Sequence, residues 1–202
     1  MKKILCNILL ILALAFSECT ADKIELARMG AVYAGAGTAG CAGDCTTVGV
    51  SETGINSFYD IGRWDASWKA WKFTGDGTSL CKIRLYIGKV GTTANTLTVC
   101  VYNDNGGVPG SQVGNCSAVV PISSLETYTD GCQYTFTGLC APVANGVPYW
   151  IVIKPSAYDS SNHARQSLDT SCAVQARTDS TDGGANWSAV VTTSCASLAL
   201  YY

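Results

Sequence analysis

From Leu80 to Lys89 the chain alternates apolar and polar side chains almost without a break, as Leu80-Cys-Lys-Ile-Arg-Leu-Tyr-Ile-Gly-Lys89. Successive side chains on an extended strand point to opposite faces. Cys81, Ile83, Leu85 and Ile87 therefore share one face, and Lys82, Arg84 and Tyr86 the other. Leu97-Thr-Val-Cys-Val-Tyr102 repeats the pattern with Leu97, Val99 and Val101 inward. Further strands are expected from Cys132 to Thr137, Tyr149 to Lys154, Cys172 to Thr178 and Ser194 to Tyr201. A dense turn signal, Asn103-Asp-Asn-Gly-Gly-Val-Pro-Gly110, separates two of them. No segment carries the period of an amphipathic helix. About eight or nine short strands at even spacing predict an all-β fold, an antiparallel two-sheet β-sandwich of jelly-roll type.

Such a sandwich needs staples when it works outside the cell, and the chain carries 11 cysteines in 202 residues. Met1-Lys-Lys3 followed by an apolar run from Ile4 to Phe16 reads as a secretory signal peptide over residues 1–17. The run is too short to span a bilayer. Cleavage before Glu18 suits the small residues Ala15 and Ser17; a cut before Asp22 is the alternative, and Cys19 raises the question of a lipoprotein cysteine. Secretion makes disulfides the expected fate of the cysteines. Cys100 with Cys116, Cys132 with Cys140, and Cys172 with Cys195 are the candidate pairs, each close enough in sequence to clip neighbouring strands. The expected location is extracellular or at the cell surface.

Residues 18–50 differ from the rest. Ala31-Val-Tyr-Ala-Gly-Ala-Gly-Thr-Ala-Gly-Cys-Ala-Gly-Asp-Cys45 is almost all small side chains and can bury little, so it reads as an extended arm or linker. Residues 51–202 form the predicted sandwich domain. Only 14% of residues are charged, and removing Lys2 and Lys3 takes the net charge from −2 to −4. A mildly acidic chain with no basic cluster argues against nucleic-acid partners, and no second apolar run reaches spanning length.

The order of features from Phe73 through the Leu80–Lys89 strand, Val99–Gly110, Tyr134-Thr-Phe136, Gly146-Val-Pro-Tyr-Trp-Ile-Val-Ile153 and the final Leu198-Ala-Leu-Tyr resembles the choice-of-anchor R domain, a bacterial extracellular β-sandwich module. The resemblance covers about residues 50–202. It implies a secreted or surface-attached module and names no ligand. The many cysteines and the lack of a recognisable anchor depart from it. A sharper motif, Ser180-x-Asp182-x-Gly184-x-x-Trp187, matches the Asp-box of sialidases and other secreted β proteins. Asp182 is suited to accept turn amides, Gly184 to take positive φ, and Trp187 to pack beneath the turn. The expectation is a self-stapled hairpin, since one box on so short a chain makes no propeller.

Glycan binding has the best candidate residues. In Ile61-Gly-Arg-Trp-Asp-Ala-Ser-Trp-Lys-Ala-Trp-Lys-Phe73, Trp68 has opposite parity to a core-facing Trp71 and Phe73. Trp68, Trp64 and Arg63 are the expected ligand contacts, stacking on sugar rings while polar neighbours hold hydroxyls; the competing reading has all three tryptophans covering core or sheet edge. His163, the single histidine, lacks a nucleophile context and reads as a loop or strand-edge residue. The glutamates fall in linker or loop contexts, so a small glycan hydrolase ranks last. No cofactor is expected beyond a structural Ca²⁺, for which Asp104 with Asn103 and Asn105, or Asp179 with Asp182, offer oxygen ligands. The predicted function is a binding or adhesion module for a glycan or other cell-surface component. The rival is a structural subunit whose N-terminal arm mediates homo-assembly.

Overall fold

The computed structural model describes residues 47–48, 55–65, 67–129, 132–170 and 175–202. The signal peptide, most of the Ala/Gly-rich stretch and Cys172 lie outside the described residues. The remainder belongs to the unit Cys41–Tyr202. In chain order its strands are β1 (Thr47–Val48), β2 (Ser57–Ile61), β3 (Trp68–Thr74), β4 (Ser79–Leu80), β5 (Lys82–Leu85), β6 (Ile87–Val90), β7 (Thr96–Asn105) and β8 (Val108–Val113). They continue as β9 (Val120–Pro121), β10 (Tyr134–Phe136), β11 (Ala141–Pro142), β12 (Pro148–Pro155), β13 (His163–Asp169), β14 (Arg177–Ser180), β15 (Cys195–Ala196) and β16 (Leu198–Tyr201). The helical content of the described residues is one 3₁₀ turn, Ile122–Ser124.

One layer is a six-stranded antiparallel sheet in the order β14-β3-β12-β7-β8, with β9 also on β7. The other layer is built from two sheets, β1-β16-β5-β10 and β15-β13-β2, the latter joined by β6 on β13. The two meet where β5 and β6, one strand in sequence, part at Tyr86, and where β15 and β16 part at Ser197. There the Tyr86 amide donates to the Ser197 carbonyl (3.1 Å), the Ser197 amide to the Ser167 carbonyl (3.4 Å) and the Ser167 amide to the Tyr86 carbonyl (2.8 Å). This closed ring of backbone bonds lets one layer change partners without leaving a buried amide unpaired. Cys81, Ile83, Leu85 and Ile87 are all buried, as their shared parity predicts, while Lys82, Arg84 and Tyr86 are partly exposed.

The core lies between the layers. Trp71, Phe73, Val99, Val101, Ile151 and Ile153 of one pack on Ile61, Ile83, Leu85, Ala164, Leu198 and Leu200 of the other. A buried polar link crosses it: Trp71 Nε1 donates to Gln166 Oε1 at 3.2 Å, both residues being fully buried. The β12 run Tyr149-Trp-Ile-Val-Ile153 is buried on both faces. Its second face belongs to a smaller cluster of Ala70, Trp150 and Val152, covered by Trp68, Tyr102, Ala176 and Trp187.

Cys100 and Cys116 form a disulfide with Cα atoms 4.2 Å apart. Cys81, Cys140 and Cys195 are also disulfide-bonded. The expected Cys132–Cys140 pair does not form: Cys132 is a buried free thiol. The segment between them runs extended through β10 rather than folding into a hairpin, so the two residues lie at opposite ends of a strand. Cys132 instead donates to the Thr127 carbonyl (3.2 Å) and accepts from the Thr129 amide (3.0 Å). Thr47–Val48, inside the stretch read as an arm, pairs with Leu200 and Tyr201 of β16.

Trp71→Phe keeps most of the ring volume but leaves Gln166 Oε1 buried without a donor. It should lower unfolding free energy by about 2–3 kcal/mol in a urea titration. A loss below about 0.5 kcal/mol would show that the interlayer bond is dispensable.

Candidate functional site

The register of β14 on β3 decides what comes together. Asp179 lies opposite Lys69 and Ser180 opposite Trp68, so the segment after β14 is delivered to the start of β3 and the loop leading from β2. The result is a cleft of about 700 Å³. Its sides come from Phe58, Tyr59 and Asp60 of β2, from Trp64, Asp65, Ser67 and Lys69, and from Asp179 through Ser188.

The Asp-box forms one wall and is held by its own side chains. Ser180 Oγ donates to Asp182 Oδ1 (2.8 Å), and the Gly184 amide donates to Ser180 Oγ (2.8 Å). Asp182 also accepts the Asn186 backbone amide (2.9 Å) and side-chain amide (2.7 Å). These bonds from Asn186 first, then Ser180, hold the Asp182 carboxyl down at about 2. Gly184 takes φ 91°, and a Cβ there would stand 2.6 Å from the Trp68 ring. Glycine is required for both reasons.

That contact also locates Trp68. It is half-buried under the box, edge-on to Tyr102 with ring centroids 6.4 Å apart, and the Lys154 ammonium lies 4.9 Å from its ring centre. Trp68 thus faces away from the cleft and supports the hairpin that bounds it. Trp64 is on the cleft and 71% exposed, the most exposed large apolar side chain described. The Arg63 guanidinium stacks on it 4.2 Å from the ring centre. Arg63 itself bonds Asp60 at 2.7 Å, which holds Trp64 from behind. Trp64 and Arg63 therefore act as one unit, and Trp68 serves another.

Asp60 is saturated. Besides Arg63 it accepts Arg165 through Nε (2.7 Å) and Nη2 (3.3 Å), and His163 Nε2 lies 3.1 Å away. Burial pushes this carboxyl up, but the hydrogen bonds from Arg165 and Arg63 outweigh it and leave it below its ordinary value. His163 is the first residue of β13 and 3% exposed, a buried strand residue rather than a loop one. Burial likewise pushes the Asp65 carboxyl up, but hydrogen bonds from Ser67 outweigh it and hold it below its ordinary value; Asp65 Oδ1 accepts the Ser67 amide at 3.0 Å.

The floor is a polar trio. Tyr59 donates to Asp179 Oδ2 at 2.6 Å, and Lys69 Nζ lies 3.7 Å from the same oxygen and 4.6 Å above the Tyr59 ring. Burial pushes the Tyr59 hydroxyl far up, with Asp179 adding to it, and burial lowers Lys69 against the pull of Asp179. Asp179 Oδ1 and Trp187 Nε1 are shielded from bulk water and have no hydrogen-bond partner. Ser67 Oγ sits against the Asp65 carboxylate and helps to hold it down. All three residues line the cleft. Buried polar atoms are normally paired, so two orphans at one opening mark a place where a ligand or ordered water completes the bonding.

The loops considered for calcium are occupied otherwise. Asp104 accepts Trp150 Nε1 (2.7 Å), Lys72 Nζ (2.9 Å) and the Gly107 amide (3.1 Å). Asp182 spends both oxygens on Asn186 and Ser180, leaving Asp179 Oδ1 as the uncommitted oxygen of the other pair. No group of three or more acidic, histidine or cysteine side chains among the described residues converges as a metal site. No described helix is long and apolar enough to cross a membrane.

No family model, curated protein or solved structure matches the chain. The cleft's contribution from Phe58, Tyr59 and Ser67 escaped sequence reasoning, and Asp179 reads from sequence only as a calcium candidate beside Asp182. Tyr59 and Asp179 stand 120 positions apart and carry no mutual spacing signal.

Gly184→Ala should cost about 2–4 kcal/mol, combining a strained backbone with a clash on Trp68; an urea denaturation curve reads this directly. Asp182 should titrate near pH 2 instead of 3.8. Because its folded value is depressed, its contribution to the hairpin is full above about pH 4 and is lost as pH falls through about 2. The Asn186 backbone amide resonance should follow that midpoint, and in Asp182→Asn it should be flat over the same range.

Proposed function

We propose that the chain is a secreted or cell-surface binding module that holds a glycan in the cleft between the β2–β3 loop and the Asp-box. The observation that carries this reading is the pairing of exposed aromatic surface with orphaned polar atoms in one opening. Trp64 at 71% and Phe58 at 48% exposure offer flat apolar faces. Asp179 Oδ1 supplies an acceptor and Trp187 Nε1 a donor. A sugar ring presents the matching pair of surfaces: an apolar C–H face for stacking, and hydroxyls that donate and accept in the ring plane.

Holding fits this opening better than hydrolysing. A glycosidase acid is a carboxyl raised by its surroundings, whereas Asp60, Asp65 and Asp182 are all shifted down. Asp60 is further pinned by two arginines, which fixes it as an anchor for the loop. Disulfide staples and the resemblance to choice-of-anchor modules accord with work at a cell exterior, where the arm N-terminal to the sandwich would join module to surface.

A glycan array probed with the protein carrying its disulfides should show a defined set of bound structures. Trp64→Ala should weaken the best of them by at least about tenfold, corresponding to about 1.4 kcal/mol, with an unchanged melting curve. Trp68→Ala should instead lower the melting temperature. Binding to no glycan by folded wild-type protein would remove the reading, and equal binding by Trp64→Ala would remove the cleft from it.

A further inference from the structure

A second cleft, of about 620 Å³, lies on the far side of the Asp-box. Asn186 and Trp187 line both, so the two clefts are separated only by the hairpin's own ridge. The second is built on the β7–β8 hairpin, from the amides of Asn103 and Asn105, the Pro109 ring and the Ser111 hydroxyl. Gly106 and Gly107, at φ 64° and 95°, turn that hairpin tightly enough to set Asn105 and Ser111 on one rim. No charged side chain lines it. The first cleft is lined by the carboxylates of Asp60, Asp65, Asp179 and Asp182; Arg63 and Arg165 neutralise Asp60 and Lys69 pairs with Asp179, which leaves Asp65 and Asp182 without an ion-pair contact among the described residues.

We infer that the two clefts are consecutive subsites for one linear, non-acidic oligosaccharide that crosses the Asp-box ridge at Asn186 and Trp187. This rests on the glycan reading of the first cleft and extends it to a second site and a substrate class. Each volume alone falls in the range of about 300–1,000 Å³ that holds a drug-sized ligand, so a ligand filling both is longer than either holds. Neutral amides and a hydroxyl are what a hydroxylated chain requires of its second subsite. The carboxylates of Asp65 and Asp182, which have no ion-pair contact among the described residues, repel uronates and sialylated chains. Where one chain engages both subsites, the second contact forms at high effective concentration, and affinity climbs with length.

The test is titration calorimetry with size series of cello-, laminari-, manno- and chito-oligosaccharides from disaccharide to hexasaccharide, and with oligogalacturonates as the acidic counterpart. At least one neutral series should gain about tenfold or more in affinity from the shortest to the longest member. The double variant Asn105→Ala/Ser111→Ala, both exposed positions outside the first cleft, should abolish that gain and leave the shortest ligand's affinity unchanged. Oligogalacturonates should bind at least about tenfold more weakly than neutral chains of equal length. Affinity independent of length, or a gain that survives the double variant, overturns the second subsite while leaving the first intact. Preference for oligogalacturonate overturns the charge argument. Failure of folded protein to bind any of these series overturns the subsite proposal, and the array decides separately whether the first cleft binds a glycan at all.

Discussion

Everything on the functional side of the molecule hangs on a sheet that is buried twice. An antiparallel sheet in a two-layer sandwich usually presents its outer face to water, and its strands then alternate. Here the outer face of the six-stranded sheet carries Ala70, Trp150 and Val152, and the segment following β14 folds back over them with Trp187 and the Trp68-supported box. The apolar surface removed from water by that cover holds the hairpin in place, at roughly 25 cal/mol per Å². Without it, Asp182 and Ser180 would still form a turn, but one free to swing. With it, the turn becomes a fixed ridge and the spaces on either side become clefts.

The run Tyr149–Ile153 read as a strand with its buried face left open, and the structure buries both faces of its five bulky apolar residues. The alternating strand around Ile83 and the Asp-box were readable, for one physical reason: the residues that interact, or that share a face, are a few positions apart. The Cys100–Cys116 staple was readable because a turn-rich connection returns the chain to its starting strand. The Cys132–Cys140 expectation failed on the same logic, because an extended β10 carries the second cysteine away from the first. The cleft was half legible. Trp64 and Arg63 could be picked out as an aromatic beside a cation, but parity alone placed Trp68 on an outer face without showing that a hairpin covers it. Tyr59 meeting Asp179 depends on β14 choosing β3 as its neighbour, and no local pattern encodes that choice.

The cleft's polar economy separates groups that hold the protein from groups left without a partner. Asp60 gathers two arginines and a histidine, and ties β2, its following loop and β13 into one rim. Asp182 is consumed by its own turn. Asp179 is divided: Oδ2 receives Tyr59 and faces Lys69, whereas Oδ1 receives nothing. A carboxylate whose one oxygen is fixed and whose other is orphaned is oriented in advance, because the fixed bonds have already met the cost of ordering the side chain. The same holds for Trp187, anchored by its ring against Trp150 and Val152 while its indole N–H lacks an acceptor.

This division ties stability to the shape of both clefts through one short segment. The residues between Asp179 and Ser188 seal the outer apolar cluster, carry the self-bonded Asp-box and present the unpaired groups, so they cannot be tuned one function at a time. A change that loosens the box, such as a side chain at Gly184, displaces Trp68 and Trp187 together and deforms both clefts at once. A change at Trp64 touches only the rim, because its cation partner Arg63 is held by Asp60 independently of the hairpin. The β2–β3 loop and the β7–β8 hairpin can therefore vary in shape on either side of a ridge that the fold itself holds constant.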